Sequence, residues 1–386
     1  MSNKNNLKVF EFGAGALLPS FEEVVSSKPW VLFGNENLWP QHTIEMFNYS
    51  STNRACLNAI IAGIIGEDLL INGQEGIMMV NSTETLYDVY KKVAVDFAIH
   101  NGFSLNTIKS KDGESISSLY HIDFSKIRSG KVDHFDYVKH YYFSADWANH
   151  YKPQYKPIEI PSFNLMGEGD SQVYYSFPYS PNQKFYPLPA YIGGRIPIQT
   201  EIEIFNYELN YIQNGYFPSL FINLNNGTPS EEERESIYRH LEEKYSSSNR
   251  AGNLILSFSD TKENEPTITP IQAANNADMF NALMGEVQEK IIISHGISKP
   301  DLLGIKASGQ LGTKQEMIEG YEHFIKTNII PKQNYLIREF EKLLFYMTGE
   351  VKKLTIKQNQ LFDGDGGVDT GIVDINQKPQ DEQVIS

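Results

Sequence analysis

The sequence predicts a mixed α+β fold. A β-rich first half leads into two helices flanking a small α/β insertion, followed by a glycine-rich loop and a long kinked helix. Three observations carry this. Residues 101–149 hold turn-punctuated runs of β-branched and aromatic residues, the composition of strands. Residues 197–215 and 276–295 have helical apolar spacing and enclose residues 218–271, which read strand–helix–strand–strand. Residues 314–349 read as one helix except for Pro331, which must kink or interrupt it because proline has no N–H and its ring clashes with the preceding turn.

Residues 1–50 are mixed, Trp-containing and weakly periodic. The stretch NRACLNAIIAGIIGEDLL, Asn53 to Leu70, places apolar residues at helical spacing around small Ala and Gly, predicting a tightly packed helix. An amphipathic helix follows at 84–100 and ends at Asn101-Gly102. KDGE at 111–114 predicts a hairpin between two strands, and HIDFSKIRSG and DYVKHYYFSADW continue the β pattern. Residues 150–195 are rich in Tyr, Phe and Pro. So many missing ladder donors restrict them to irregular or edge-strand structure. Their aromatics, interleaved with lysines, fit a stacking surface for bases, but an aromatic-packed loop layer is the favoured reading.

The helix of 197–215 is closed by Gly215. After the strand SLFINLN comes NNGTPSEEERESIYRHLEEKY, with Thr228 as N-cap, Pro229 at the first helical position and Glu231 completing a capping box. Ile237, Leu241 and Tyr245 form its apolar stripe. NLILSFSD and PTITPI are strands. The second flanking helix carries Phe280, Met284, Val287 and Ile291 on one face, with Gly285 allowing a bend or a close approach. HGISKPDLLGIKASGQLGTKQE then joins two helices through Gly304, Gly309 and Gly312, with Lys306 and Lys314 as its cations. The tail, QLFDGDGGVDTGIVDINQKPQDEQVIS, is expected to be mobile at its end.

Composition narrows the function. The chain has 386 residues, 40% hydrophobic and 21% charged, with net charge −15, so it is long enough for two or three compact units. That acidity argues against gripping nucleic acid by broad phosphate neutralisation, though not against letting it pass. The lone cysteine, Cys56, excludes an intrachain disulfide framework; its apolar helical setting predicts a buried, inert thiol. LNAIIAGIIG at 57–66 is too short to span a bilayer. The glycine-rich loop lacks P-loop spacing, and FDGDGGVDTG misses the ligand positions and closing Glu of a calcium loop. Histidines form no HExxH, and His100, His121, His134 and His140 read as surface groups. No catalytic residues, cofactor or metal site emerge. A carbohydrate-active enzyme or glycan-binding protein is the alternative that acidity and Tyr/Trp content suggest.

The order of elements resembles the portal proteins of tailed double-stranded DNA bacteriophages. It is carried by ACLNAIIAGIIGEDLLING, by VYKKVAVDFAIHNGFSLNTIKSKDGESISSLYHIDFSKIR, by NGYFPSLFINLNNGTPSEEERESIYRHLEEKYSSSNRAGNLILSFSD, and most specifically by EVQEKIIISHGISKPDLLGIKASGQLGTKQEMIEGYEHFIKTNIIPKQNYLIREFEKLL. The resemblance implies a ring, usually of twelve copies, at one capsid vertex with DNA passing along its axis. It implies an N-terminal and wing region at 1–195, stem helices at 196–217 and 272–298, and a clip at 218–271. A tunnel loop at 299–313, a long wing helix at 314–349 and a tail with a minimal crown at 350–386 complete it. Lys306, Ser308, Gly309, Gln310, Gly312 and Lys314 would then lie near DNA, and Glu231, Glu232, Arg234, Glu235 and Arg239 would dock partners. Those partners would be further copies of the chain, the terminase motor, head-completion or adaptor proteins, and the major capsid protein or scaffold. The expected location is the virion, with assembly in the host cytoplasm and no membrane association.

Overall fold

One serine joins two helices near the start of the chain. Strands β1 (Glu23–Val25) and β2 (Val31–Phe33) form an antiparallel ribbon, and α1 (Trp39–Tyr49) follows. Ser50 ends α1 in extended geometry, and its hydroxyl accepts from the N–H of Asn53, capping α2 (Ser51–Ile65). The computed structural model describes residues 20–213, 220–224, 230, 232–233, 236, 254–258, 267–270, 277–297 and 314–358.

Helix α2 turns Cys56, Leu57, Ile60 and Ile64 inward, at the spacing of a buried stripe. It stops at Ile65, so the expectation of one helix through Leu70 is corrected. Asp68–Ile71 is strand β3, paired antiparallel with β13 (Leu354–Lys357). That pairing partner lies far along the chain, and no local pattern announces it. Helix α3 (Leu86–His100) ends at Asn101 in the left-handed region, where the sequence predicts the stop; it begins with a reciprocal Thr85–Asp88 capping box that the sequence reading did not name.

Strands β4 (Phe103–Lys109) and β5 (Ile116–Ile122) make the expected hairpin. β6 (Ile127–Ser129), β7 (His140–Phe143) and β8 (Ile158–Pro161) form a second sheet, while β9 (Ser171–Ser176) joins the first. The sheet orders are β5-β4-β9 and β6-β7-β8. Both strands of the Pro-rich region therefore lie at edges, where absent N–H donors cost least. Its tyrosines build an aromatic layer: Tyr186 stacks on Phe33 at 4.1 Å, and Tyr175 on Phe124 at 5.2 Å. The packed-layer reading holds. The main core gathers α2, α3, β4 and the long C-terminal helix around Tyr90, Phe103 and Phe340.

Helix α4 (Arg195–Gln213) and helix α5 (Ala277–Ser294) pack on each other. Between them in sequence, β10 (Leu220–Leu224) pairs parallel with β11 (Leu254–Phe258) and antiparallel with β12 (Thr267–Pro270). Parallel neighbours need a crossover, and Glu232, Glu233 and Ser236 within it are helical. The expected capping residues, Thr228, Pro229 and Glu231, lie outside the described residues. The reciprocal bonds join Ser230 and Glu233, with the Glu233 carboxylate accepting from Ser230 N–H at 3.0 Å and the Ser230 hydroxyl accepting from Glu233 N–H at 3.4 Å. Thr228/Glu231 and Ser230/Glu233 have the same three-residue spacing. Glu232 and Glu233 follow Ser230 in the helix, where the dipole of a first turn favours negative charge. Ile237, Leu241 and Tyr245 lie outside the described residues.

The C-terminal helix is interrupted where Pro331 predicts. α6 (Lys314–Phe324) passes into a π-turn at Ile325–Ile329, then into α7 (Ile330–Thr348). Ile330 N–H donates to Ile325 C=O, five residues back, so the widened turn absorbs the donor that proline lacks. Opposite it, Gly63 of α2 makes room. A Cβ there would stand 2.9 Å from two carbons of Ile329. Gly63→Ala is expected to cost about 1–3 kcal/mol through overpacking, read as a lower denaturation midpoint. An unchanged midpoint would mean the crossing has slack.

Candidate functional site

The two helices that flank the insertion are fastened at one root. Glu201 of α4 is fully buried, and its carboxylate accepts from the hydroxyls of Ser50, Ser51 and Thr52, the last at 2.6 Å. The α1–α2 elbow thus aims its cap residues at a single side chain of α4. Cys56 lies in the same core. Burial first, and the Glu201 charge second, push its thiol up to about 12, which makes it a poor nucleophile as its sequence setting predicts.

The end of α5 is held by a polar chain. His295 is buried, stacks on Tyr191 at 4.7 Å, and its Nε2 lies 2.8 Å from Asn53 Oδ1. Asn53 carries that oxygen as an acceptor, because its Nδ2 donates to Met46 C=O at 3.0 Å. The imidazole therefore serves as a neutral Nε2–H donor; burial pushes its pKa down to about 3. The His295 C=O accepts from Asn328 Nδ2 at 2.6 Å. Lys332 Nζ donates to Asn328 C=O at 2.9 Å and also to its side-chain oxygen. Burial pushes the Lys332 ammonium down to about 8. Gln333 Nε2 completes the tie by donating to Gly63 C=O at 2.8 Å.

Five elements therefore converge: α2, α4, the end of α5, the π-turn and the start of α7. They fix the point from which residues 298–313 depart and the helix to which they return. This arrangement can hold a loop and transmit strain. Among the described residues, no group of three or more His, Cys, Asp or Glu side chains could hold a metal ion, and no helix is long and apolar enough to cross a membrane.

Lys306, Ser308, Gly309, Gln310 and Gly312 lie outside the described residues, as do Glu231, Arg234, Glu235 and Arg239. Lys314 is the first residue of α6, and Glu232 is exposed on the inserted helix. His100 is corrected: it is buried, hydrogen-bonded through Nδ1 to Thr43 Oγ1 at 2.8 Å. Its position on the inner face of α3 decides this. His121 is half-buried, with Nε2 at 2.7 Å from Asp96 Oδ2. The sequence reading missed Glu201, Asn328 and Lys332. A carboxylate breaking an otherwise apolar helical face was the available signal for Glu201.

The stem-like pair also has an unusual surface. Ile196, Phe205 and Leu209 of α4 and Leu283 and Ile293 of α5 are exposed. Gly285 is exposed too, with open space before its Cα, and α5 runs through it as one helix.

No protein-family model matches the chain. Uncharacterized proteins of Rickettsia bellii (strain RML369-C) and Rickettsia felis (strain ATCC VR-1525 / URRWXCal2) are 28% identical over 153 and 148 residues, 38% of this chain. The match spans only 37% of the length of each of these curated relatives. Among solved structures, a chain from the neck of a native GTA particle, computed with C12 symmetry, aligns with TM-score 0.53 at 13% identity over 82% of this chain and 84% of that one. A chain from the neck of an empty GTA particle, computed with C6 symmetry, gives 0.54 at 13% identity over 84% and 86%. An HK97-family phage portal protein from Corynebacterium diphtheriae reaches 0.48 at 10% identity over 81% and 95%. The fold is thus a mixed α+β architecture of the kind found in gene-transfer-particle necks. At this level of identity the likeness is one of fold.

Proposed function

We propose that this chain is a portal protein: a subunit of a closed ring of twelve, set at one capsid vertex, through which DNA enters and leaves. The observation that carries the reading is the exposed apolar surface of α4 and α5. Five large apolar side chains, Ile196, Phe205, Leu209, Leu283 and Ile293, face solvent on two helices fastened by a buried root. Large apolar side chains left exposed on a packed helix pair fit an association surface. The shared fold with a neck chain computed with C12 symmetry supports a cyclic arrangement of copies.

In this reading α4 and α5 are the stem, 218–271 the clip and 299–313 a tunnel loop facing the axis. Residues 1–195 and 314–349 then supply the wing, and 350–386 a tail with little crown. The chain works as a conduit and platform and carries out no catalysis. A net charge of −15 presents a repulsive wall to a polyanion, while Lys306 and Lys314 offer weak phosphate contacts that let DNA slide. Lys314 stands at a helix start, where the dipole adds to its positive charge. Terminase and the head-completion or adaptor proteins would dock on the clip through Glu231, Glu232, Arg234, Glu235 and Arg239. The outer wing would meet capsid protein or scaffold.

Native mass measurement with negative-stain imaging tests the ring. Closed rings with an axial hole are expected; a strict monomer at every concentration, with scaffold present, would overturn the proposal. In rings of unchanged mass, Lys306→Ala is expected to lower the DNA packaged per particle several-fold and to reduce the salt slope of DNA association by about one for each Lys306 in contact with phosphate. Packaging at the wild-type level would remove Lys306 from the path.

A further inference from the structure

The long helix carries its π-turn where two other elements, α2 and the end of α5, grip it. Proline explains why an α-helical ladder is disturbed near residue 331, but it does not choose where the extra residue goes. The side chains do. Widening at Ile325–Ile329 turns both Asn328 and Ile329 inward. Ile329 fills the space opposite Gly63, and Gln333, one turn later, donates to Gly63 C=O at 2.8 Å. Asn328 reaches the other way and donates to His295 C=O at 2.6 Å, at the end of α5. The turn that follows α5 is shaped around that amide. Gly296 has φ of 68°, and a Cβ there would stand 3.1 Å from Asn328 Nδ2. Lys332 then donates to both oxygens of Asn328, backbone and side chain, so the amide cannot rotate without losing its two bonds, to His295 C=O and from Lys332.

We propose that Asn328 is a register lock. It holds the π-turn at Ile325–Ile329 and couples the register of the long helix to the turn at Gly296. Release of the amide lets the extra residue leave the helix. α6 then moves by one residue against α7, about 1.5 Å along the axis and about 100° around it. Single π-turns inside α-helices recur at functional positions. The consequence is a two-register helix. One polar side chain governs both the end of α5 and the orientation of α6, the two elements that border residues 298–313. Asn328 is thus a positioning residue, acting on two backbone segments far apart in sequence. The lock is intrinsic to the subunit and stands independently of the portal assignment.

Two variants separate the lock from the effect of proline. Pro331→Ala restores the missing donor and removes the ring clash, making a continuous α-helix available. If Asn328 holds the register, the solved structure of Pro331→Ala keeps its π-turn, and Pro331→Ala/Asn328→Ala converts to α-helix with α6 rotated. A π-turn already lost in the single variant would assign the register to proline and overturn the proposal. One retained in the double variant would assign it to Ile329 packing, with the same effect. Hydrogen exchange of Asn328→Ala in the otherwise wild-type chain reads the coupling. Amides 295–297 and 325–330 are expected to exchange at least tenfold faster together, with 336–344 changed less than twofold. Faster exchange at 325–330 alone, or everywhere, would show local or global loosening and overturn the coupling.

Discussion

Replacing Arg128 by lysine is expected to destabilise the protein by about 3–5 kcal/mol, although the formal charge is unchanged. Arg128 sits in β6 with no solvent exposure. All five of its N–H groups are used. Nε donates to Asn37 Oδ1 at 2.7 Å, Nη1 to the carbonyls of Ser125 and Ile127 at 2.9 and 2.7 Å, and Nη2 to Asn37 C=O and Gln41 Oε1 at 2.6 and 3.1 Å. None of these acceptors is a carboxylate. The guanidinium also lies over the Trp147 ring at 4.8 Å. Burial pushes its pKa down to about 10, so the charge persists at neutral pH and is held by a cage of neutral dipoles. A lysine offers three donors and no plane. It leaves acceptors unpaired beside a poorly solvated charge, each loss worth about 1–3 kcal/mol. Chemical denaturation reads the effect. A midpoint within error of wild type would show that water or a shifted backbone replaces the cage. The cage matters because it ties the approach to α1 onto β6, and α1 sets the elbow on which Glu201 closes.

The parts legible in the sequence were those fixed by neighbouring residues. Helix α3 announces itself through its apolar periodicity and the Asn101-Gly102 stop, and the β4–β5 hairpin through KDGE. Prolines placed β8 and β9 at edges before any pairing was known. Pro331 located the interruption of the long helix. The parts that stayed hidden depend on distant partners. β13 pairs with β3 across most of the chain. Arg128 reads as a surface cation until Asn37, in the left-handed region at φ of 61°, turns its carbonyl and amide oxygens inward. In the inserted helix the reciprocal Ser230–Glu233 bonds went unread in the sequence. At the root, the partners of His295 come from residues 53 and 328. Period and propensity carry no information about such contacts.

Mild acid is expected to weaken the protein well before its carboxylates titrate. Two buried histidines set this. His295 is held down to about 3 by burial and, secondarily, by the nearby Lys332 ammonium. His100 is held down to about 4 by burial, which outweighs the pull of Asp96 and Asp123 in the other direction. The unfolded chain carries both near their ordinary 6.5. Above that value neither state binds the proton, and these groups give no pH dependence. As pH falls below it, the unfolded chain takes up two protons that the folded chain refuses, so the stability these groups contribute is lost progressively until the folded values are reached. Between about pH 6.5 and about pH 5 the loss amounts to about 3 kcal/mol. Unfolded carboxylates, near about 4, stay ionised through most of that window. His42, also lowered by burial, acts in the same direction. Urea midpoints across this range are expected to fall steadily. His295→Gln keeps an amide donor for Asn53 without a titrating group, so its slope should be smaller by about one proton. Midpoints that stay flat, or a slope that His295→Gln leaves unchanged, would show that the imidazole is protonated in the fold. The Asn53–His295 bond at the root would keep Nε2–H as its donor, but the ring would be a buried cation next to Lys332, and the root would need an anion to balance it.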